Sequence, residues 1–327
     1  MAVDPDALAQ EVIGGDRRAL ARAITLVEST RADHREQAEK LLAAILPRAG
    51  RSIRLGITGS PGVGKSTFIE AFGKLLIAAG HRVAVLAVDP TSKRAGGSIL
   101  GDKTRMAELA RDERAFIRPS PAGKSLGGVA RRTRDAMLLT EAAGFDVVIV
   151  ETVGVGQSET AVADLSDLFV LLLAPGGGDD LQGIKKGIVE LADLLIVNKA
   201  DGDLAPAARR AVADYRHALR MLRPAGDSAG ADVLAVSALE GKAIDTAWEN
   251  IEARIAAAKK SGAFARRREA QAQAALWSEL DDGLMDRLRA DQGVARLLRT
   301  LETRVAAGKL TPSAAARQAL DAFGEEA

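Results

Sequence analysis

Residues 59–67 read Gly59-Ser60-Pro61-Gly62-Val63-Gly64-Lys65-Ser66-Thr67, which sets a lysine and two hydroxyls directly behind three closely spaced glycines. The spacing from Gly59 to Ser66 is G-x-x-x-x-G-K-[ST]. In such a loop the backbone N–H groups turn inward to cradle phosphate oxygens, and a following helix N-terminus adds positive potential. Lys65 is expected to reach the β- and γ-phosphates of a nucleotide, and the Ser66 hydroxyl to ligate Mg²⁺.

Three further segments refine that chemistry. Asn198-Lys199-Ala200-Asp201 matches N-K-x-D, in which the Asp carboxylate accepts two hydrogen bonds from guanine. Adenine offers no matching pair of donors, and a site built on such bonds can reject the wrong partner by on the order of 10⁴-fold. Asn198 would hold neighbouring loops together, and the Lys199 stem would cover the base. Ser237-Ala238-Leu239 is the turn type whose backbone N–H meets the base oxygen. Glu151-Thr152-Val153-Gly154 stands where a GTPase carries D-x-x-G, with Gly154 toward the γ-phosphate. Glu151 would hold a metal-bound water, or stand as a strand-end carboxylate in solvent. Asp89 ends an apolar run, and Asp102 lies further along a Gly-, Ser- and Lys-bearing loop. Both are candidates for the Mg²⁺ shell through waters. Val155 occupies the position after Gly154 where a water-orienting Gln could sit, which predicts slow intrinsic hydrolysis. Gln157 is the nearby substitute.

The elements that must position these groups can be read from apolar patterning. Candidate strands are 53–58, 83–88, 145–150, 168–173, 193–197 and 232–236, several of them near-continuous apolar runs. Strands buried on both faces look like that. The expected fold is α/β, a doubly wound, mostly parallel sheet of the P-loop NTPase type with helical extensions at both ends. Residues 1–50 are expected as short helices, with Asp4 and Asp16 as caps, Pro5 at a first helical position and Gly14-Gly15 as a stop. Leu41, Leu42, Ile45 and Leu46 give a later helix an apolar face. Residues 51–260 would form the nucleotide domain. Residues 261–327 lack strand signals; Leu276, Leu280, Leu284 and Leu288 recur every four residues beside Trp277 and Met285, and Pro312 opens a last helix. That stripe packs on its own sheet or against a second copy of the chain.

Bulk properties exclude several classes. A net charge of +1 gives no strong field for nucleic acid, and 3% aromatic residues supply no base-stacking platform. The chain has no cysteine and 3 dispersed histidines, so neither thiolate metal sites nor a His-rich metal store is expected. No apolar run reaches bilayer length, and the acidic N-terminus resembles neither a secretory signal nor a transit peptide. A cytoplasmic protein without membrane contact is expected.

Together these segments resemble the MeaB/ArgK family of P-loop GTPases. The resemblance is carried by Gly59–Thr67, Asp89-Pro90-Thr91-Ser92, the run Gly96–Met106 with its G-D-K-T-R-M, the run Glu151–Gln157 with its E-T-V-G-V-G-Q, and Asn198–Asp201. It covers nearly the whole chain, and Glu151 and Val155 belong to the family's own pattern. It implies a GTP-hydrolysing chaperone that binds adenosylcobalamin-dependent methylmalonyl-CoA mutase, gates its cofactor loading and protects it from inactivation. It also implies a homodimer joined through C-terminal helices. GTP, GDP and Mg²⁺ are the expected ligands, and cobalamin is not. Asp179, Gln182 and Lys185, in the glycine-rich stretch after strand 168–173, are candidates for signalling nucleotide state to the mutase; a solvated strand–helix loop is the alternative.

Other readings compete. The family has carried an arginine-kinase label linked to amino-acid transport, but no acceptor-pocket motif is visible. A nickel-inserting metallochaperone should show a His- or Cys-rich tract, and a protein-targeting GTPase a Met-rich domain; only 5 Met occur.

Overall fold

The computed structural model describes residues 4–29, 31–88, 106–120, 126–152, 158–176, 186–222 and 232–324. Among the described residues seven strands form one sheet: β1 (Ile53–Gly59), β2 (Val83–Val88), β3 (Ala115–Ser120), β4 (Val147–Thr152), β5 (Leu168–Leu173), β6 (Leu194–Val197) and β7 (Asp232–Ala235). Their order is β3-β2-β4-β1-β5-β6-β7, and every pairing between neighbours is parallel. All C-terminal strand ends therefore share one edge, where ligands of open α/β sheets bind.

Two differences from the sequence pattern have physical causes. β3 was not expected, because Ala115-Phe116-Ile117-Arg118-Pro119-Ser120 carries a charge and a proline. Pro119 lacks an N–H, yet β3 is an edge strand with β2 as its neighbour, where that loss is tolerated. The run expected at 145–150 forms its ladder over Val147–Thr152. Glu151 and Thr152 thus lie inside the sheet, with Glu151 opposite Ile57 on one side and Ala87 on the other.

Alternation along the strands separates two apolar layers. Leu55, Ile57, Val147 and Ile149 face α4 (Lys65–Ala78) and a helix that lies at Ile244–Lys260. Val148, Val150, Phe169 and Leu171 face the other way, onto α5 (Leu126–Ala142) and α6 (Ser158–Leu165). On α4, Phe68 stacks on Phe72 at 5.4 Å, and Phe72 meets the edge of Trp248 at 5.9 Å. Such pairs add to the burial of the rings themselves.

The N-terminal helices α1 (Pro5–Ile13), α2 (Arg17–Val27) and α3 (Ala32–Ile45) pack on one another and on α5. Their caps are local. Asp4 accepts from Asp6 N–H at 3.1 Å, and Asp16 accepts from the N–H groups of Arg18 and Ala19 at 2.7 and 2.8 Å. Leu41 and Ile45 are fully buried, but Leu46 is exposed, because α3 ends at Ile45 and a 3₁₀ turn through Pro47 swings it outward.

Further along the chain come α7 (Lys186–Leu191), α8 (Ala205–Leu222), α9 (Ile244–Lys260) and α10 (Ala263–Ala290). A buried charge cluster joins the N-terminal strand ends to the start of α10. Glu141 of α5 accepts from Gly50 N–H, the Ser52 hydroxyl and both Nε and Nη2 of Arg54. Burial pushes its carboxyl up, but the Arg54 guanidinium, Ser52 and Gly50 outweigh that and hold it below the usual carboxylate range. Asp167 accepts from Arg54 N–H at 2.7 Å and takes Arg268 of α10 through both oxygens.

The chain divides into two compact units, 1–271 and 272–327, with the boundary inside α10. In the second unit, α11 (Gln292–Ala306) and α12 (Pro312–Gly324) pack through Val294, Leu301, Ala315 and Ala319, with Leu288 against them. Leu276, Trp277, Leu280, Leu284 and Met285 along α10 are exposed. Among the described residues no helix is long and apolar enough to cross a membrane.

Candidate nucleotide site

β1 runs straight into the glycine loop, and α4 begins at Lys65 itself. The first-turn N–H groups of α4 are thus presented at the C-terminal edge of the sheet. Gly64, just before the helix, has φ +91, and a Cβ there would lie 2.7 Å from Asn198 Nδ2. Only glycine combines that left-handed backbone with so close an approach. Gly59 is similarly confined: a Cβ would meet the Leu172 carbonyl at 2.5 Å. Lys65 is buried, with Nζ donating to the Gly59 carbonyl at 2.6 Å and the Ser60 carbonyl at 3.4 Å. Its charge is therefore already centred over the loop. Ser66 is half-buried, while Pro61, Gly62 and Thr67 are exposed.

The segment after β6 is fastened to this loop. Asn198, fully buried, donates from Nδ2 to the Val63 carbonyl at 3.0 Å and accepts from Ala238 N–H through Oδ1 at 3.1 Å. One amide thus ties three loops together. Lys199 has φ +60, rare for a residue with a side chain, and its Nζ donates to the Gly62 carbonyl at 2.7 Å. The Asp201 carboxylate is held by the Ser237 hydroxyl, which also accepts from Glu240 N–H at 3.1 Å. Leu239, next in the turn, is exposed.

Glu151 is 4% exposed, which removes the reading of it as a carboxylate in solvent. It follows Val147 and Ile149 at two-residue spacing, so it faces the α4 side, the side of Ser66. The neighbouring Thr152 hydroxyl bonds that of Thr58 at 2.7 Å, joining the ends of β4 and β1. Nothing in the one-letter pattern marked that pair, nor the backbone of Lys199. Asp89, Asp102, Gly154, Val155, Gln157, Asp179, Gln182 and Lys185 lie outside the described residues.

For a metal, the described donors are the Ser66 hydroxyl and the Glu151 carboxylate, both hard oxygens on one side of the sheet. Among the described residues no three His, Cys, Asp or Glu side chains converge into a cage. Hard oxygen donors of this kind fit Mg²⁺, which keeps waters and leans on phosphate oxygens.

Comparison with known proteins bears on what such a site serves. The model of the family "Methylmalonyl Co-A mutase-associated GTPase MeaB" matches residues 20–293. "GTPase ArgK" of Escherichia coli is 50% identical over 304 residues, covering 93% of this chain and 92% of that one. The mitochondrial methylmalonic aciduria type A homolog of Mus musculus is 45% identical over 328 residues, 97% of this chain and 79% of that one. A crystal structure titled as an LAO/AO transport system kinase superposes with a TM-score of 0.77 at 40% identity, covering 99% of this chain and 100% of that one. With the glycine loop, the all-parallel sheet and this family match in agreement, the chain belongs to the MeaB family of methylmalonyl-CoA mutase-associated GTPases and is a P-loop GTPase.

Proposed function

We propose that this GTPase serves as a nucleotide-controlled chaperone of adenosylcobalamin-dependent methylmalonyl-CoA mutase. It would gate cofactor loading and guard the mutase against inactivation. The observation that carries the nucleotide half is the fastening of Asn198 and Lys199 to the carbonyls of Val63 and Gly62. It supports a reading in which one ligand would meet both a base reader at Asp201 and a phosphate cradle. The mutase half rests on the family description.

In this reading Gly59 to Thr67 wrap the phosphates, Lys65 neutralises charge developing on the γ-phosphate, and Asp201, backed by Ser237, reads guanine. Gly154 would meet the γ-phosphate, and the Ser237-Ala238-Leu239 turn the base oxygen. Mg²⁺ would be held by Ser66, with Glu151, Asp89 and Asp102 reaching it through water, and would supply charge neutralisation between the β- and γ-phosphates. Val155 leaves the attacking water without a Gln at that position, so intrinsic hydrolysis is slow and Gln157 or the partner completes the site. Asp179, Gln182 and Lys185 would carry the nucleotide state to the mutase. The exposed stripe of α10 would be covered in a homodimer. Cytoplasmic residence, and no role for nucleic acid, membrane or bound cobalamin, complete the proposal.

Pull-down of purified mutase under GDP and under a non-hydrolysable GTP analogue tests it. Retention that differs between the two nucleotides is expected; retention in neither would sink the chaperone role. The kinase title of the superposed structure favours a second reading. Labelled GTP incubated with basic amino acids is expected to yield inorganic phosphate, and a phosphorylated amino acid would reverse the choice.

A further inference from the structure

The far side of the sheet carries a joint that the nucleotide chemistry does not need. β1 and α6 touch without clearance at Gly56, three residues before the glycine loop. A Cβ on Gly56 would lie 2.7 Å from Ser166 Oγ and 2.9 Å from Val162 Cγ1. α6 starts at Ser158, directly after the E-T-V-G-V-G-Q segment, and ends at Leu165. The residues that follow α6 are the ones that hold α10. The Ser166 carbonyl accepts from Gln271 Nε2 at 2.8 Å, and Asp167 takes Arg268, whose Nη2 also donates to the Ser52 carbonyl at 3.0 Å.

The two contacts differ in kind. Around Arg268 the cluster is saturated: both oxygens of Asp167 and both of Glu141 have donors. Around Gln271 it is not. Its Oε1 is buried and has no hydrogen-bond partner among the described residues. A buried acceptor left unpaired is a standing cost, which a second arrangement of the same joint would remove. Arg268 and Gln271 stand one helical turn apart. The first sits in a fully paired cluster, and the second keeps one buried acceptor without a partner among the described residues.

We infer that Gln271 makes the first turns of α10 a reader of α6, so that the nucleotide state at the phosphate loop reaches α10 and the apolar stripe it carries. The route is contiguous: glycine loop, β1 at Gly56, α6, Ser166, Gln271. It rests on guanine nucleotide binding at that loop but not on the mutase as partner. Gln271 and Arg268 are positioning residues that touch no nucleotide.

The test uses the full chain, with GDP and with a non-hydrolysable GTP analogue. Amide hydrogen exchange is followed over residues 263–276, together with the emission of Trp277, which is exposed while Trp248 is buried. Trp277→Phe identifies its share of the signal. Wild type is expected to differ between nucleotides by about two-fold or more in exchange over that segment. Gln271→Ala should at least halve the difference while both nucleotide affinities stay within about two-fold. Gln271→Met, which keeps the volume and removes the donor, guards against a variant that merely misfolds. An undiminished difference in both variants overturns the inference, as does tight binding of both nucleotides with no difference in wild type. Failure to bind either nucleotide would overturn the site and the inference together, and the affinity measurement tells the cases apart.

Discussion

Asp201, the residue proposed to read guanine, owes its aim to its neighbours. Its carboxylate is aimed by Ser237, itself fixed by Glu240 N–H, while Asn198 sets the depth of the whole segment against the glycine loop. Asp201→Ala should weaken GTP binding by about 100-fold or more and lift the discrimination against ATP, measured by competition titration. Ser237→Ala should do the same more mildly, by about ten-fold, since the carboxylate survives without its guide. Lys65→Ala should lower the GTPase rate by about 100-fold or more in single turnover, because the ammonium held on the Gly59 and Ser60 carbonyls would no longer meet charge developing on the γ-phosphate. The motif residues themselves were legible, since the chemistry forces a fixed spacing within a few positions. The Thr58–Thr152 bond was not: its partners lie far apart in sequence, and hydroxyl pairs leave no periodic trace.

At the scale of elements, the sheet's central strands were legible because burial on both faces leaves unbroken apolar runs. β3 was not, because an edge position excuses a proline and a charge that would argue against an interior strand. The closeness of β1 to α6 was equally hidden, since Gly56 reads as one more small residue beside the loop. Gly56→Ala should destabilise the fold by about 1–3 kcal/mol, seen in thermal or denaturant melts, as the new methyl forces Val162, Ser166 or Phe169 aside. Glu141 offers a second handle. Its folded carboxyl titrates below the ordinary value, so its contribution is fully present above about pH 4.3 and is lost as pH falls through the folded pKa. Glu141→Gln leaves Arg54 buried without its counter-charge and should cost about 3–5 kcal/mol near neutrality. The gap in melting temperature between wild type and variant should narrow below about pH 4, and a constant gap would argue against the assignment.

At the scale of the whole molecule, α10 carries large apolar side chains in the open. Trp277 is 67% exposed and Leu276 60%, and Leu280, Leu284 and Met285 further along the helix are exposed as well. If a second copy covers them, Leu280→Asp with Leu284→Asp should convert the dimer to a monomer in light scattering and leave the basal GTPase rate within about two-fold. The sequence shows the row but not its cover, because an amphipathic stripe looks the same whichever surface it meets.

The strand order also has a consequence in time. β1 sits between β4 and β5, and Ile53 pairs with Val147, about 90 residues further along. On a ribosome adding about 5–20 residues per second, β1 emerges several seconds before any lateral neighbour it keeps in the finished protein. The glycine loop is thus translated early but held open-ended until β4 and β5 arrive. Slowing synthesis between positions 60 and 145 should therefore prolong the interval in which this apolar strand can pair with the wrong chain.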